Sequence, residues 1–369
     1  MSFASNNSKR IQRILKGSML IGIFSFVFAI LMGIWRIALT RGFILPSIPE
    51  FLPPHGNLMI GAFLGTLIIF ERMFALPVKW LIWTPYIWGI SSALIHIDFP
   101  LFKILNIVAL LGWGIHRFIA YKTFKHLLNP LIEFLSYVAL SIALLSHDGL
   151  AGSIESALAG FSFAIAVIGA ERIELTLGFN RTSAKVLYLS LIVYLGISII
   201  NSLFYLIPVQ IVGIILLFVS IGLIYNDSVI IVYVKGFALA QGALHKFARE
   251  TLIVAYLWLI FASISIILWN QIQAVAKDVV FHSIGLGFIF TMILSHAPIV
   301  LSSTLAKMPK RIPSRILFYL FQLMTIVRVF TDLFVTVSVE LWSWAGWITG
   351  TLHFIFFILY ILSVLRSFK

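Results

Sequence analysis

The sequence contains no cysteine and few charged residues. Without cysteine, the chain can form no disulfide, bind no metal through thiolates and carry no covalently attached c-type haem. Charged residues make up 11% of the 369 positions and hydrophobic residues 61%, whereas an average soluble domain has about 25% charged residues. A soluble core could not bury this much apolar surface. We therefore expect an all-α integral membrane protein that is surrounded by the lipid bilayer.

Motifs of hydrolytic and nucleic-acid chemistry are also missing. The sequence has no phosphate loop, no nucleophile elbow and no metalloprotease helix. The excess of 26 Lys and Arg residues over 13 Asp and Glu residues could indicate a nucleic-acid partner. However, the basic residues lie in short loops between apolar runs, where they act as topology determinants. We expect no nucleic-acid partner.

Twelve apolar runs have about the length that a helix needs to cross a bilayer. The predicted spans cover residues 18–40, 57–76, 80–97, 101–121, 128–146, 152–174, 185–204, 207–225, 251–268, 280–305, 313–336 and 344–366. With both termini in the cytoplasm, 21 Lys and Arg residues fall on the inner side, four on the outer side and Arg328 within a span. This bias predicts a multi-pass protein of the cytoplasmic membrane. The chain is predicted to be one membrane domain over 1–369, with an amphipathic cytoplasmic helix over 228–248.

The second, sixth and tenth predicted spans share residues at matching positions. The second and sixth spans both end in a Glu-Arg pair, at Glu71 and Glu171, one hundred positions apart. The tenth span repeats a Phe, a Thr and an Ile of the second span at an offset of 225 positions, and His296 then falls where Glu71 does. This pattern suggests three four-helix units in a pseudo-threefold arrangement.

Two histidines lie at the outer ends of matching spans, His55 before the second and His282 in the tenth. A neutral imidazole nitrogen from each of two helices is what axial ligation of haem b in a helical bundle requires. Alternatively, each histidine caps a helix end and bonds water or backbone. His353 is either a further ligand or an interhelical hydrogen-bonder. Arg328 pairs either with Asp332, one turn along, or with a haem propionate.

Acidic residues and a histidine gather at the inner ends of the same spans. Ionisable groups within a span are costly and are functional candidates. Glu71, Glu171, Glu174 and His296 could bind a divalent metal or relay protons, and Glu174 shares a helix face with Glu171. The alternative is that the Glu-Arg pairs are ion pairs that hold helices together.

Two segments resemble the NnrS family: residues 168–173 (IGAERI) with 179–181 (FNR), and residues 282–294 (HSIGLGFIFTMIL). NnrS-like proteins have twelve spans and are associated with haem, with copper and with nitric oxide stress. The resemblance implies haem b, copper or another divalent metal, and a role in respiratory electron transfer or nitric oxide handling. The family's His-Glu-Met in the second span is replaced here by His55-Gly56-Asn57-Leu58-Met59, which places this chain in a divergent branch.

The same five residues resemble the low-spin haem helix of haem–copper oxidase main subunits. Those subunits have twelve spans, with cofactor ligands on helices 2, 6 and 10, so the resemblance implies haem ligation by His55 and His282, with Met59 close by. The sixth span lacks the oxidases' copper-binding histidines, and the tenth lacks their closely spaced His pair. A complete oxygen- or nitric oxide-reducing centre is therefore not expected.

Two other classes of function fit the same residues. One is a cofactor-free membrane anchor or scaffold subunit, whose partners would be other respiratory-complex subunits or cytochromes. The other is a proton-coupled secondary transporter that uses the acidic inner residues. Against the transporter, the two halves of the chain have no spans broken by Gly or Pro at matching positions.

Overall fold

The computed structural model describes residues 2–40, 46–47, 54–95, 97–124, 128–146, 150, 152–176, 181–235, 242–305, 307–334 and 338–368. These residues form helices joined by short connections, with no β-strand among them. The predicted all-α fold is confirmed.

The helices follow one another along the chain with few residues between them. They are α1 (Ser2–Thr40), α2 (Asn57–Leu64 and Gly65–Ala75), α3 (Thr84–Leu94), α4 (Phe99–Thr123), α5 (Asn129–Leu145), α6 (Ile154–Thr176), α7 (Arg181–Phe204), α8 (Val209–Asn226), α9 (Ser228–Val234), α10 (Ala243–Ile267), α11 (Gln273–His282, Ser283–Phe290 and Thr291–Leu305), α12 (Arg315–Leu333) and α13 (Val339–Arg366). Side chains cap several starts: Asp98 caps α4, Ser314 caps α12 and Ser338 caps α13 by accepting from backbone N–H groups.

Ten helices in the described part of the chain are long and apolar enough to cross a membrane, all except α3, α5 and α9. α3 has 11 residues and α5 has 17, fewer than the roughly 20 that a perpendicular span needs. Large apolar side chains point outward from the long helices: Leu111 is 62% exposed and Phe218 is 70% exposed. Such surfaces are stable in contact with lipid. The molecule is a membrane protein, and the count of twelve spans stays a prediction.

The chain divides into two compact units, a division that the sequence did not predict. Unit 1 comprises Met1–Arg36, Leu45–Glu171 and Leu191–Leu206, and unit 2 comprises Ile37–Ile44, Arg172–Ser190 and Ile207–Lys369.

Unit 1 is built around buried aromatic rings. α2 packs on α3 and α5, and α4 packs on the same two helices. The Tyr137 ring of α5 lies 4.9 Å from the rings of Trp88 and Trp113 and 4.7 Å from that of Phe163, measured between centroids. All four side chains are fully buried. Aromatic contacts of this kind add stability beyond the buried area itself.

Unit 2 packs α10 against α8 and α11, and α12 against α11 and α13. Pro298 lies inside α11 and has no N–H, so the Leu294 carbonyl loses its usual helical partner. The Tyr360 hydroxyl of α13 donates to that carbonyl at 2.8 Å. A tertiary hydrogen bond thus replaces the helical one.

α2 and α11 share an eight-residue π-helical segment, Asn57–Leu64 in α2 and Ser283–Phe290 in α11. Such wide turns are rare, disturb the regular hydrogen-bond ladder and often mark functional sites. Side chains bond to carbonyls within them: Trp88 Nε1 donates to Gly61 O at 2.9 Å, and Thr291 Oγ1 to Leu286 O at 3.3 Å. The two segments start two residues after His55 and directly after His282, a match that hydropathy could not predict.

The predicted amphipathic helix over 228–248 falls on α9, on the first residues of α10 and on residues 236–241, which lie outside the described residues. It stays a prediction. Residues 179–180 of the NnrS-like segment also lie outside the described residues.

Candidate functional site

Unit 1 holds an ion network made by four helices, which we call the unit 1 charge network: Arg72, Arg117, Glu133 and Glu171. Arg72 Nε lies 3.0 Å from Glu133 Oε1, and Arg72 Nη2 lies 3.3 Å from Glu171 Oε2. Arg117 Nη1 bonds the other Glu133 oxygen. Glu133 is the centre of the network, since its side chain is 2% exposed and binds both guanidiniums.

Glu71 adds a third carboxylate beside this network. It interacts electrostatically with Glu171, Arg72 and Glu133. Three carboxylates thus face two guanidiniums in a partly buried place. The excess of one negative charge could be balanced by a bound proton or cation.

His116 completes the surroundings of Arg117. Because a guanidinium only donates, His116 Nδ1 accepts from Arg117 Nη2 at 2.7 Å, and Nε2 donates to the Leu76 carbonyl at 2.8 Å. Arg117 also lies over the Trp113 ring, 4.4 Å from its centroid. Both nitrogens of His116 are engaged, so this histidine positions Arg117.

Unit 2 contains what we call the Asp332 cluster: His282, Arg328, Asp332 and Trp342. The Asp332 carboxylate is fully buried and accepts from three directions: His282 Nδ1 at 2.6 Å, Arg328 Nη2 at 3.1 Å and Trp342 Nε1 at 2.9 Å. A Cβ at Gly346 would lie 2.1 Å from Arg328 Nη1. The guanidinium in its present position therefore packs against a glycine, and a larger residue at 346 would require it to shift.

The hydrogen bond to Asp332 fixes how His282 is presented. A carboxylate only accepts, so Nδ1 carries the proton, and in the neutral ring the lone pair is on Nε2. Nε2 makes no hydrogen bond to the described residues, and the side chain is 20% exposed. Metal-ligating histidines commonly have this arrangement, with a carboxylate holding the second nitrogen. The donor set at His282 fits a residue that would hold haem iron through Nε2.

The other predicted cofactor residues lie in different surroundings. In unit 2, His353 Nε2 bonds Thr325 Oγ1 at 3.0 Å and its ring packs edge-on against Phe321. In unit 1, Met59 packs on an apolar cluster of Ala29, Leu58 and Ala62. His55, also in unit 1, packs against α1, where a Cβ at Gly33 would lie 3.6 Å from His55 Nδ1.

A second carboxylate of unit 2, Asp227, lies between α8 and α9 and anchors Arg172 of α6. Arg172 Nε and Nη2 bind its two oxygens at 2.7 Å each, and Tyr256 donates to it at 2.7 Å. Burial alone would raise the pKa of Asp227, but the Arg172 guanidinium and these hydrogen bonds outweigh burial and hold that pKa below its ordinary value.

His296 is tied to the same arginine. Its Nε2 accepts from Arg172 Nη1 at 3.0 Å, and its Nδ1 donates to the Met292 carbonyl at 2.8 Å. Of the four predicted metal ligands, Glu71 and Glu171 belong to unit 1 and Glu174 and His296 to unit 2. Within the described ranges, no three His, Asp or Glu side chains form a group that could hold a metal ion.

The sequence reasoning missed several of the residues that organise these sites. Glu133 is the one acidic residue of the apolar run 128–146, and the rule that selected Glu71 would have selected it. Asp227 and Trp342 are not ionisable residues within an apolar run. Asp227 lies between two helices, and Trp342 resembles an interfacial tryptophan.

The chain matches a known protein family. The model of a domain of unknown function, DUF8744, matches residues 14–365, and the chain belongs to this family. No curated protein matches the chain.

Proposed function

We propose that this member of the DUF8744 family is an NnrS-like haem protein of the cytoplasmic membrane, acting in respiratory electron transfer or nitric oxide handling. In this proposal the chain has twelve spans in three four-helix groups, and both termini are cytoplasmic. The matching π-helical segments of α2 and α11 support the equivalence of those two helices. The excess of basic residues on the inner side supports the orientation.

The observation that carries the proposal is the His282–Asp332 hydrogen bond of 2.6 Å. It keeps the proton on Nδ1, orients the ring and leaves Nε2 as the ligating atom. Arg328 lies 3.1 Å from Asp332 and supplies a buried positive charge that balances this carboxylate beside His282. A histidine whose only role was to cap a helix end would not need a buried carboxylate held by three donors.

In the haem-bound protein, His282 would hold the iron through Nε2. Ligation by His55 stays a prediction from the sequence. Arg328 Nη1, which has no hydrogen-bond partner among the described residues, would supply positive charge for a propionate. The haem would contribute reversible one-electron transfer. The residues themselves hold the ligand nitrogen in one tautomer.

Reduced-minus-oxidised absorption spectra of the detergent-purified protein test the proposal. We expect a b-type Soret and α-band in the wild type and their loss in His282→Ala. Asp332→Asn should retain the ligand nitrogen but lower haem occupancy about tenfold or more, the range seen for such supporting residues. His245→Ala is the matched control, since His245 belongs to unit 2 and bonds the Val229 carbonyl; it should keep the full spectrum.

A colourless wild-type protein, purified from cells supplied with haem precursors, would overturn the haem proposal. If the colourless chain carried stoichiometric cytochrome partners, the scaffold function would replace it. A spectrum that survives His282→Ala would reject His282 as the ligand.

A second candidate function, proton-coupled transport, is favoured by the unit 1 charge network. Together with Glu71, the two carboxylates and two guanidiniums of the network can take up and release a proton without exposing an unpaired charge. In proteoliposomes that contain a pH-sensitive dye, we expect proton flux in the wild type and its loss in Glu71→Gln and Glu133→Gln. Glu155→Gln, which changes a glutamate of α6 outside the network, should keep the flux. Equal flux in protein-free liposomes would reject this function.

A further inference from the structure

Unit 2 has a cleft of about 410 Å³ where the chain enters α12 and leaves α13. Its walls come from the connection before α12, from the first residues of α12 and from the last turns of α13. They combine two arginines, serine hydroxyls and leucines: Arg311, Ser314, Leu359, Leu362, Ser363 and Arg366. This cleft is not part of the Asp332 cluster or of the Asp227 site.

The two arginines of the cleft lack counter-charges. Arg311 and Arg366 form no hydrogen bond or ion pair with the described residues, whereas the nearby Arg315 lies 3.5 Å from a Glu250 oxygen. Two guanidiniums that line one cleft repel each other unless an anion lies between them. Guanidinium pairs are well suited to phosphate, which they bind through parallel hydrogen bonds.

Hydrogen bonds donated by main-chain N–H groups hold the two walls together. Ser314 N donates to Ser363 Oγ at 2.8 Å, and Lys310 N donates to Ser367 O at 2.7 Å. The Ser363 hydroxyl accepts from Ser314 and keeps its own hydrogen to donate. The cleft is therefore pre-formed, and it offers a hydroxyl donor besides the guanidiniums.

The remaining wall is apolar and faces outward. Leu359 is 42% exposed and Leu362 is 43% exposed. In the apolar stretch of α13 as a whole, only 22% is buried. These leucines belong to a span, and Arg366 ends it. The cleft therefore joins a polar, cationic end to a lipid-facing apolar surface.

We infer that this cleft binds an anionic phospholipid, with its phosphate between Arg311 and Arg366 and an acyl chain along Leu359 and Leu362. A basic cleft at the membrane end of two helices is the chemistry by which membrane proteins hold anionic headgroups. The inference does not depend on haem, and it applies equally to a colourless protein.

Native mass spectrometry of the full-length protein in neutral detergent, titrated with phosphatidylglycerol, tests this site. We expect one tightly retained lipid per chain in the wild type. The double variant Arg311→Gln/Arg366→Gln should bind the lipid on the order of tenfold more weakly or worse. The reason is that each basic residue near an anionic headgroup contributes about 1 kcal/mol of binding free energy. The control Lys307→Gln/Lys310→Gln removes the same charge outside the cleft and should retain the lipid.

Three further measurements distinguish a lipid phosphate from free phosphate. The labelling measurement uses the wild-type protein, so it does not depend on the folding of a variant. Phosphatidylcholine and inorganic phosphate should each bind far more weakly than phosphatidylglycerol. A photoreactive phosphatidylglycerol should label wild-type peptides over residues 311–317 and 359–367. Equal retention by the two double variants, equal binding of inorganic phosphate, or labelling confined to other peptides would overturn the inference.

Discussion

The carboxylates that take part in the charge clusters of the two units are satisfied in opposite ways. In unit 2, Asp227 and Asp332 each stand alone among several donors: Arg172, Tyr256 and a backbone N–H for Asp227, and His282, Arg328 and Trp342 for Asp332. In unit 1, three glutamates share two guanidiniums. In unit 2, each of these two carboxylates is therefore surrounded by donors, whereas in unit 1 the carboxylates outnumber the guanidiniums.

This difference gives the carboxylates of the two units different roles, positioning in unit 2 and proton binding in unit 1. A carboxylate saturated by donors is a fixed anion that positions other groups, as Asp332 positions His282. Carboxylates that outnumber their partners destabilise one another, and one of them can take a proton at low cost. The comparison predicts effects of different size, and in one case of opposite sign, on the stability of the protein.

The largest effect is expected from Asp227→Asn. The substitution leaves Arg172 buried without its counter-ion, which costs about 3–5 kcal/mol in the free energy of unfolding. Thermal unfolding in detergent, followed by intrinsic tryptophan fluorescence, should show a clearly lowered Tm. Asp278→Asn, which lies in unit 2 outside the Asp227 and Asp332 sites, should leave the Tm nearly unchanged.

The pH dependence of the Tm difference between wild type and Asp227→Asn tests whether Asp227 is the carboxylate responsible. Because the folded-state pKa of Asp227 lies below its ordinary value, its contribution is complete above that ordinary value and is lost as pH falls through the depressed pKa. The Tm gap between wild type and Asp227→Asn should stay constant from about pH 8 to about pH 5. A gap that closes within this interval would contradict the assignment.

The next largest effect is expected from Glu133→Gln. Arg117 loses its carboxylate, but Arg72 keeps Glu171 at 3.3 Å, so the cost should be about 2–3 kcal/mol, less than for Asp227. The same melting experiment measures it, with Glu155→Gln as the control. A cost above that of Asp227→Asn would break the comparison between the units.

A smaller effect is expected from Tyr256→Phe. It removes one donor to Asp227 while Arg172 and the Val229 N–H remain, so the cost should be about 1–2 kcal/mol. Tyr225→Phe, an exposed position, should cost nothing measurable. If Tyr256→Phe and Asp227→Asn lowered the free energy of unfolding equally, Arg172 and the Val229 N–H would not stabilise Asp227 in the absence of the tyrosine hydroxyl, contrary to this description.

The smallest effect, with the opposite sign, is expected from Glu71→Gln. Removing the surplus carboxylate relieves its repulsion with Glu171 and should raise stability by a few tenths of a kcal/mol, about the size of surface charge effects. Glu171→Gln, which removes a partner of Arg72, should lower the Tm. Destabilisation by both substitutions would mean that unit 1 has no surplus negative charge.

Hydropathy predicted the membrane class and the positions of the long helices, because apolar length is a local property of the chain. The same reasoning overestimated the third predicted span, 80–97: within it α3 begins only at Thr84, with Pro85 in its first turn. Of the two partners that the sequence left open for Arg328, Asp332 is in contact with it, since residues four apart lie on one helix face. His282 and Asp332 lie fifty positions apart, and no spacing rule connects them.

The sequence by itself determined that this protein crosses the membrane as helices, because backbone groups in lipid must be satisfied within each segment. It also determined which segments carry ionisable groups. Only the tertiary structure decided which charges meet. Neighbours such as Glu71 and Arg72 point about 100° apart on a helix, so Arg72 pairs with Glu133 and Glu171 of other helices, and Arg172 with Asp227.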